Sequence, residues 1–137
     1  MPTLTLEIVT PERPLVRETV DEVELPGAEG YLGVLPGHTP LLTLLGVGEL
    51  WYRQGGQTTY LAVAFGFAEV LPDRVTVLAQ NALLAEDIDV PRAQAALQRA
   101  TARLAQSSPD IDYDRARVAQ QKAQTRLDVA AHARTRA

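Results

Sequence analysis

The sequence predicts a two-part molecule, an antiparallel β-sandwich followed by an antiparallel pair of helices. Three observations carry that reading. All nine glycines fall at or before Gly66. Residues 1–86 hold 11 acids and 4 bases, whereas residues 87–137 hold 6 acids, 9 bases and 13 alanines. Apolar residues repeat at period two in the first part and at steps of three and four in the second. The formal net charge of -4 over 137 residues therefore sums an acidic, glycine-punctuated half and a basic, alanine-rich half. The boundary is expected at residues 86 and 87, with a β-sandwich domain over 1–86 and a helical domain over 87–137.

In chain order, Leu4, Leu6 and Ile8 alternate with Thr5 and Glu7, which puts the aliphatics on one strand face. Val20, Val23 and Leu25 read as a second, less regular strand. The runs at 47–53 and 58–64 flank Gln54-Gly55-Gly56-Gln57, and a Gly-Gly pair between β-prone runs is a hairpin signal because tight hairpin turns need positive φ. The runs at 67–71 and 75–79 flank Pro72-Asp73-Arg74, a second turn. No helical period of useful length precedes about residue 80. A single sheet leaves one apolar face uncovered, so two packed sheets are expected.

Beyond residue 87, Asp89 suits an N-cap and Pro91 is tolerated in a first turn. Ala93, Leu97, Ala100 and Leu104 form one helix face. Ser107-Ser108-Pro109 breaks it, and Asp110 or Asp112 caps a second helix with the line Ala116, Ala119, Ala123, Leu127 and Ala130. A short connection gives an antiparallel pair. Alanine buries little surface, at about 25 cal/mol per Å², so this hairpin is expected to depend on what it docks against.

Composition excludes several functions. The acidic balance and the sequence pI of about 5.1 argue against nucleic-acid coating. Absence of cysteine excludes disulfides and cysteine zinc sites. The N-terminus lacks a signal-peptide pattern, and no apolar run has the roughly 18–20 residues of a membrane span. No nucleophile–base pair stands out, so neither catalytic residues nor a metal site are assigned. The glycines of 27–33 lack G-x-G-x-x-G and a P-loop lysine, and read as a strand connection. Glu22 and Glu24 share a strand face and read as a solvated edge. His38 sits in a loop. The bases Arg92, Arg99, Arg103, Arg115, Arg117, Lys122, Arg126, Arg134 and Arg136 are either a solvated surface or an anion site for a nucleotide phosphate or an acidic protein.

Gly30-Tyr31-Leu32-Gly33-Val34-Leu35-Pro36-Gly37-His38-Thr39-Pro40-Leu41-Leu42-Thr43 resembles the signature segment of the epsilon subunits of bacterial F-type ATP synthases. Gly66-Phe67-Ala68-Glu69-Val70, Val75-Thr76-Val77-Leu78-Ala79 and Ala85-Glu86-Asp87-Ile88-Asp89 follow in the family's order, so the resemblance runs nearly end to end. It implies a noncatalytic rotor subunit of a proton-translocating ATP synthase, peripheral on the cytoplasmic face of the cell membrane and associated with the membrane only through the complex. Its implied partners are the gamma subunit, the c-ring and acidic segments of the beta subunit. The family's c-ring loop maps to Glu29, Gly30, Tyr31 and His38; some relatives carry an acid at the position of Tyr31. The implied helix pair lies folded on the sandwich or extends along gamma to restrain ATP hydrolysis.

Ile88-Asp89-Val90-Pro91-Arg92-Ala93 is similar to the pattern of relatives that bind ATP in the folded hairpin. The resemblance maps that site to Asp89, Arg92, Ala93, Arg99, Lys122 and Arg126. Lys122 stands where arginine is usual and lacks the bidentate fork. No cofactor is required; ATP is the implied regulatory ligand. The alternative is a free-standing ATP-sensing module that uses the same motif without docking to a rotor.

Overall fold

A computed structural model describes residues 2–135, with side chains described through residue 133; Arg136 and the Arg134 side chain lie outside the described residues. Seven strands come first: β1 (Leu4–Val9), β2 (Pro14–Val20), β3 (Glu22–Gly27), β4 (Gly30–Val34), β5 (Leu41–Gln54), β6 (Gln57–Val70) and β7 (Arg74–Leu84). A short 3-10 turn (Ala85–Asp87) leads to α1 (Val90–Leu104) and α2 (Tyr113–Thr135).

The strands form one hydrogen-bonded ladder in the order β2-β1-β7-β6-β5-β3-β4. The two expected sheets are thus two halves of one sheet folded over on itself. The fold is produced where β5, β6 and β7 cross a common crease. In β5 the core faces inward at Leu45 and again at Leu50 and Tyr52; in β6 at Leu61 and Val63, then at Ala68 and Val70; in β7 at Val75, Val77 and Ala79, then at Ala82. Each strand therefore changes from odd to even positions, or the reverse, at the same level. The pairings Val47↔Ala64 and Leu45↔Gly66 continue in register across the gap, as do Ala64↔Asn81 and Gly66↔Ala79. Phe65 at φ 63 and Gly66 at φ 115 supply the reversal, conformations that a bulky residue rarely adopts and that glycine adopts freely.

Leu4, Leu6 and Ile8 are fully buried, as their alternation predicts. Three expectations are corrected. Val20 belongs to β2 whereas Val23 and Leu25 belong to β3, because Asp21 separates two strands. β1 pairs with β7 in parallel, the one departure from antiparallel pairing among the described strands. Glu22 and Glu24 do not lie on an edge either: β3 is paired on both sides, by β4 and β5. The Arg53 guanidinium bridges Glu22 (3.3 Å) and Asp21 (3.4 Å), and Asp21 also accepts the Gly55 N–H, which ties down the β5–β6 turn.

Both caps form. The Asp89 carboxylate accepts the Arg92 N–H at 3.1 Å and the Asp112 carboxylate accepts the Arg115 N–H at 3.0 Å, each satisfying an orphan donor of a first turn. Ala93 and Ala100 of α1 are buried, as are Ala116, Ala123 and Ala130 of α2; Ala119 is exposed. Val129 and Ala130 pack with Ala62, Ile88, Tyr60 and Leu83, so the C-terminal half of α2 lies on the outer face of β5 and β6 and reaches Leu83 of β7. His132 strengthens this contact. Its ring stacks on Tyr60 with centroids 3.8 Å apart, and its Nε2 lies 3.2 Å from the Glu49 carboxylate.

Candidate functional site

Two surfaces carry chemistry. The first is a cleft of about 440 Å³ between the sandwich and the helical arm. Asn81 and Leu83 of β7 form the sandwich wall; Asp87, Ile88, Asp89, Arg92, Ala93, Ala96, Arg99 and Arg126 complete it. Five of the six residues assigned from the family pattern thus meet in one place. The Asp89 cap starts α1 so that Arg92, Ala93 and Arg99 follow on adjoining turns, while Arg126 reaches in from α2. Lys122 is not among the lining residues: its ammonium lies 5.6 Å above the Phe65 ring, a cation–π contact beside the crease.

The electrostatics of the cleft favour an anion. Burial, and then the charge of Arg92, push the Arg126 guanidinium below its ordinary pKa. Its Nη2 donates to the Asn81 amide oxygen at 3.1 Å. Two guanidinium groups that repel one another across a cleft are relieved by a ligand bearing negative charge. Asp89 contributes less to such a ligand than its place in the pattern suggests, since its Oδ1 already holds the Arg92 N–H. A second cleft, of about 550 Å³, lies towards the far end of the arm, where Arg99, Arg103 and Arg115 surround a floor of alanines with Asp110 and Asp112.

The second surface is apolar. Leu44 pairs with Phe67 and Phe67 pairs with Leu78, a row running straight across β5, β6 and β7. Leu44 is 67% exposed, Phe67 43% and Leu78 39%; Leu42, two positions along on the same face, is 68% exposed. Water contact at such side chains costs on the order of 1.5–3 kcal/mol each relative to full burial, and contiguous patches of this kind mark interaction sites. Sequence reasoning assigned none of these four; the period-two spacing of Leu42 and Leu44 was the available signal. The residues it did assign lie around this row. Glu29 lies in the β3–β4 turn, and Gly30, with φ 135, and Tyr31 open β4, paired with Gly27 and Pro26. Tyr31 packs over Gly48, where no Cβ fits, and its hydroxyl accepts the Glu49 N–H at 3.3 Å. His38 is at the other end of β4, in the loop before β5, with its Nδ1 2.6 Å from the Thr39 carbonyl oxygen. Gly37 N–H donates to the Pro72 carbonyl at 2.7 Å, which joins that loop to the β6–β7 turn.

Among the described residues there is no cluster of His, Cys, Asp and Glu able to hold a metal ion, and no helix long and apolar enough to cross a membrane.

Comparison with known proteins places this architecture. Residues 3–85 match the ATP synthase delta/epsilon chain β-sandwich domain, and residues 86–131 match the long α-helix domain of the same chains. The ATP synthase epsilon chain of Koribacter versatilis is 58% identical over 135 residues, covering 98% of this chain and 95% of that one. The epsilon chain of Solibacter usitatus is 60% identical over 98 residues, covering 72% of this chain and 73% of that one. In overall fold the chain is similar to one in the Euglena gracilis mitochondrial ATP synthase OSCP/F1/c-ring structure, with a TM-score of 0.82 at 24% identity, covering 96% of this chain and 83% of that one. A sandwich with a docked helix pair defines a class of two-part subunits. The chain belongs to the ATP synthase delta/epsilon family, on its epsilon-chain side.

Proposed function

We propose that the chain is a noncatalytic central-stalk subunit of a proton-translocating F-type ATP synthase. Its sandwich docks to the gamma subunit and the c-ring. Its helical arm restrains ATP hydrolysis and binds ATP while folded. The observation that carries this reading is the division of labour on the surface: an exposed apolar row on the sandwich, and a cationic cleft that exists only where the arm meets the sandwich. The row of Leu42, Leu44, Phe67 and Leu78 suits permanent burial against a partner, and Tyr31 at the start of β4 and the loop bearing His38 flank it. Arg103 and Arg115 on the arm suit acidic segments of the beta subunit. An arm held by a small apolar contact and a few polar ones can leave the sandwich, and ATP favours the folded state by its differential affinity for it. Membrane association then runs through the complex, on its cytoplasmic face.

Co-purification with gamma tests the docking: the wild-type chain is retained and Leu44→Asp is lost, and failure of the wild type to bind gamma refutes the assignment. The apolar row weighs against a free-standing ATP sensor, which has no use for it. For the arm, deletion of residues 88–137 raises the ATPase activity of the assembled complex; unchanged activity refutes restraint. Calorimetric titration with ATP gives a binding isotherm that Arg92→Ala weakens, and equal affinity of the two proteins removes the site.

A further inference from the structure

Two arginines among the described residues pair with carboxylates. Arg53 takes Asp21 and Glu22, and Arg117 takes Asp114 at 2.9 Å. Arg126, half-buried between the arm and the sandwich, takes a neutral partner instead. It crosses from α2 to β7 and donates to the neutral amide of Asn81 at 3.1 Å, although two carboxylates, Asp87 and Asp89, line the same cleft. Asn81 stands beside the crease, on the sandwich wall of that cleft. A neutral acceptor aims a guanidinium without cancelling its charge, whereas a carboxylate in its place would do both.

We propose that Asn81 is a positioning residue of the nucleotide site: it holds the Arg126 guanidinium in the cleft with its charge uncompensated, so that the polyphosphate of the ligand, and not the sandwich, supplies the counter-charge that closes the arm. This rests on the nucleotide reading above. It makes arm docking conditional on the ligand, through one side chain on a strand. A purely structural Asn81–Arg126 contact would instead be improved by an acidic partner, with docking and ligand binding moving together.

The test separates those two quantities in the full-length chain. The protein has no cysteine, so Gln57→Cys and Gln121→Cys, both at exposed positions, take a fluorophore pair that reads arm docking by energy transfer. ATP affinity is measured by calorimetry on the unlabelled proteins. Asn81→Asp is expected to raise ligand-free docking, an effect that high salt reverses, and to weaken ATP binding by about tenfold or more, because the carboxylate already occupies the Arg126 fork. Asn81→Ala is expected to lower ligand-free docking and to weaken ATP binding a few-fold. Opposite movement of docking and affinity in Asn81→Asp supports the proposal. Wild-type affinity in Asn81→Asp overturns it while leaving the nucleotide reading intact. A wild-type chain that takes no ATP overturns that reading, and the proposal with it.

Discussion

Replacing Gly66 with alanine tests the account of the crease. A Cβ on Gly66 would stand 2.0 Å from the Leu78 carbonyl oxygen, 2.9 Å from the Ala79 Cα and 3.0 Å from the Leu78 carbonyl carbon. All three neighbours are β7 backbone, so no flexible side chain can swing aside. Ordinary contact requires the strands to separate by about an ångström, which loosens the β6–β7 ladder on both sides of the crease. The backbone is also at φ 115, where an L side chain costs of order 1–3 kcal/mol. Loss or stretching of two ladder hydrogen bonds adds about 1 kcal/mol each. The sum is about 3–5 kcal/mol, a large share of the 5–15 kcal/mol by which a typical domain is stable. Urea denaturation followed through Trp51, the single tryptophan, on β5, measures the loss. Gly56→Ala is the control, since a Cβ there meets nothing within 4 Å; it is expected to change stability by less than about 1 kcal/mol in either direction. Equal stability of the two variants would refute the reasoning, and so would a Gly66→Ala loss under about 1 kcal/mol.

Other perturbations address the arm and the docking face. Asp112→Ala removes the N-cap of α2 and is expected to cost about 1 kcal/mol, visible as faster amide exchange in the first turn of α2; unchanged exchange there would contradict the capping role. His132→Ala removes the ring stacked on Tyr60 and the contact with Glu49, and about 1 kcal/mol of arm docking with them; exchange is expected to rise along α2 while β1 and β7 stay protected. Leu44→Asp, at an exposed position, is expected to leave the unfolding free energy of the isolated chain within about 0.5 kcal/mol of wild type. A large loss would show that the apolar row supports the sandwich itself.

Legibility in the sequence followed whether a signal was local. The Gly55-Gly56 turn, the Asp89 and Asp112 caps and the alanine seam each announce themselves within a few residues, and each is where the pattern puts it, the exposed Ala119 excepted. The crease does not. Period two fails at 45–48, at 63–68 and at 79–82 because the strands change faces there, so β5 reads as a loop followed by a short strand, and β6 as two strands. β2 was hidden by Pro14 and its polar residues, Arg17, Glu18 and Thr19. The parallel pairing of β1 with β7 joins the two ends of the sandwich sequence, and no short window contains it. In the cleft, five of the residues that the resemblance named are lining residues, while Asn81 is a lone amide on a strand and gains its meaning only from Arg126, 45 positions later.

The common crease also governs how the length of this chain can change. Three neighbouring strands turn over at one level, at Gly46, Phe65 and Gln80, with their register intact on both sides. Removing one residue from β6 at that level would put every position beyond it on the wrong face, bringing Glu69 into the core and turning Ala68 and Val70 out to solvent. A compensating deletion would then be needed in β5 and another in β7. Insertions and deletions in descendants of this gene should therefore gather in the turn at 55–56 and the connection at 105–112, and spare codons 41–48, 63–70 and 75–82.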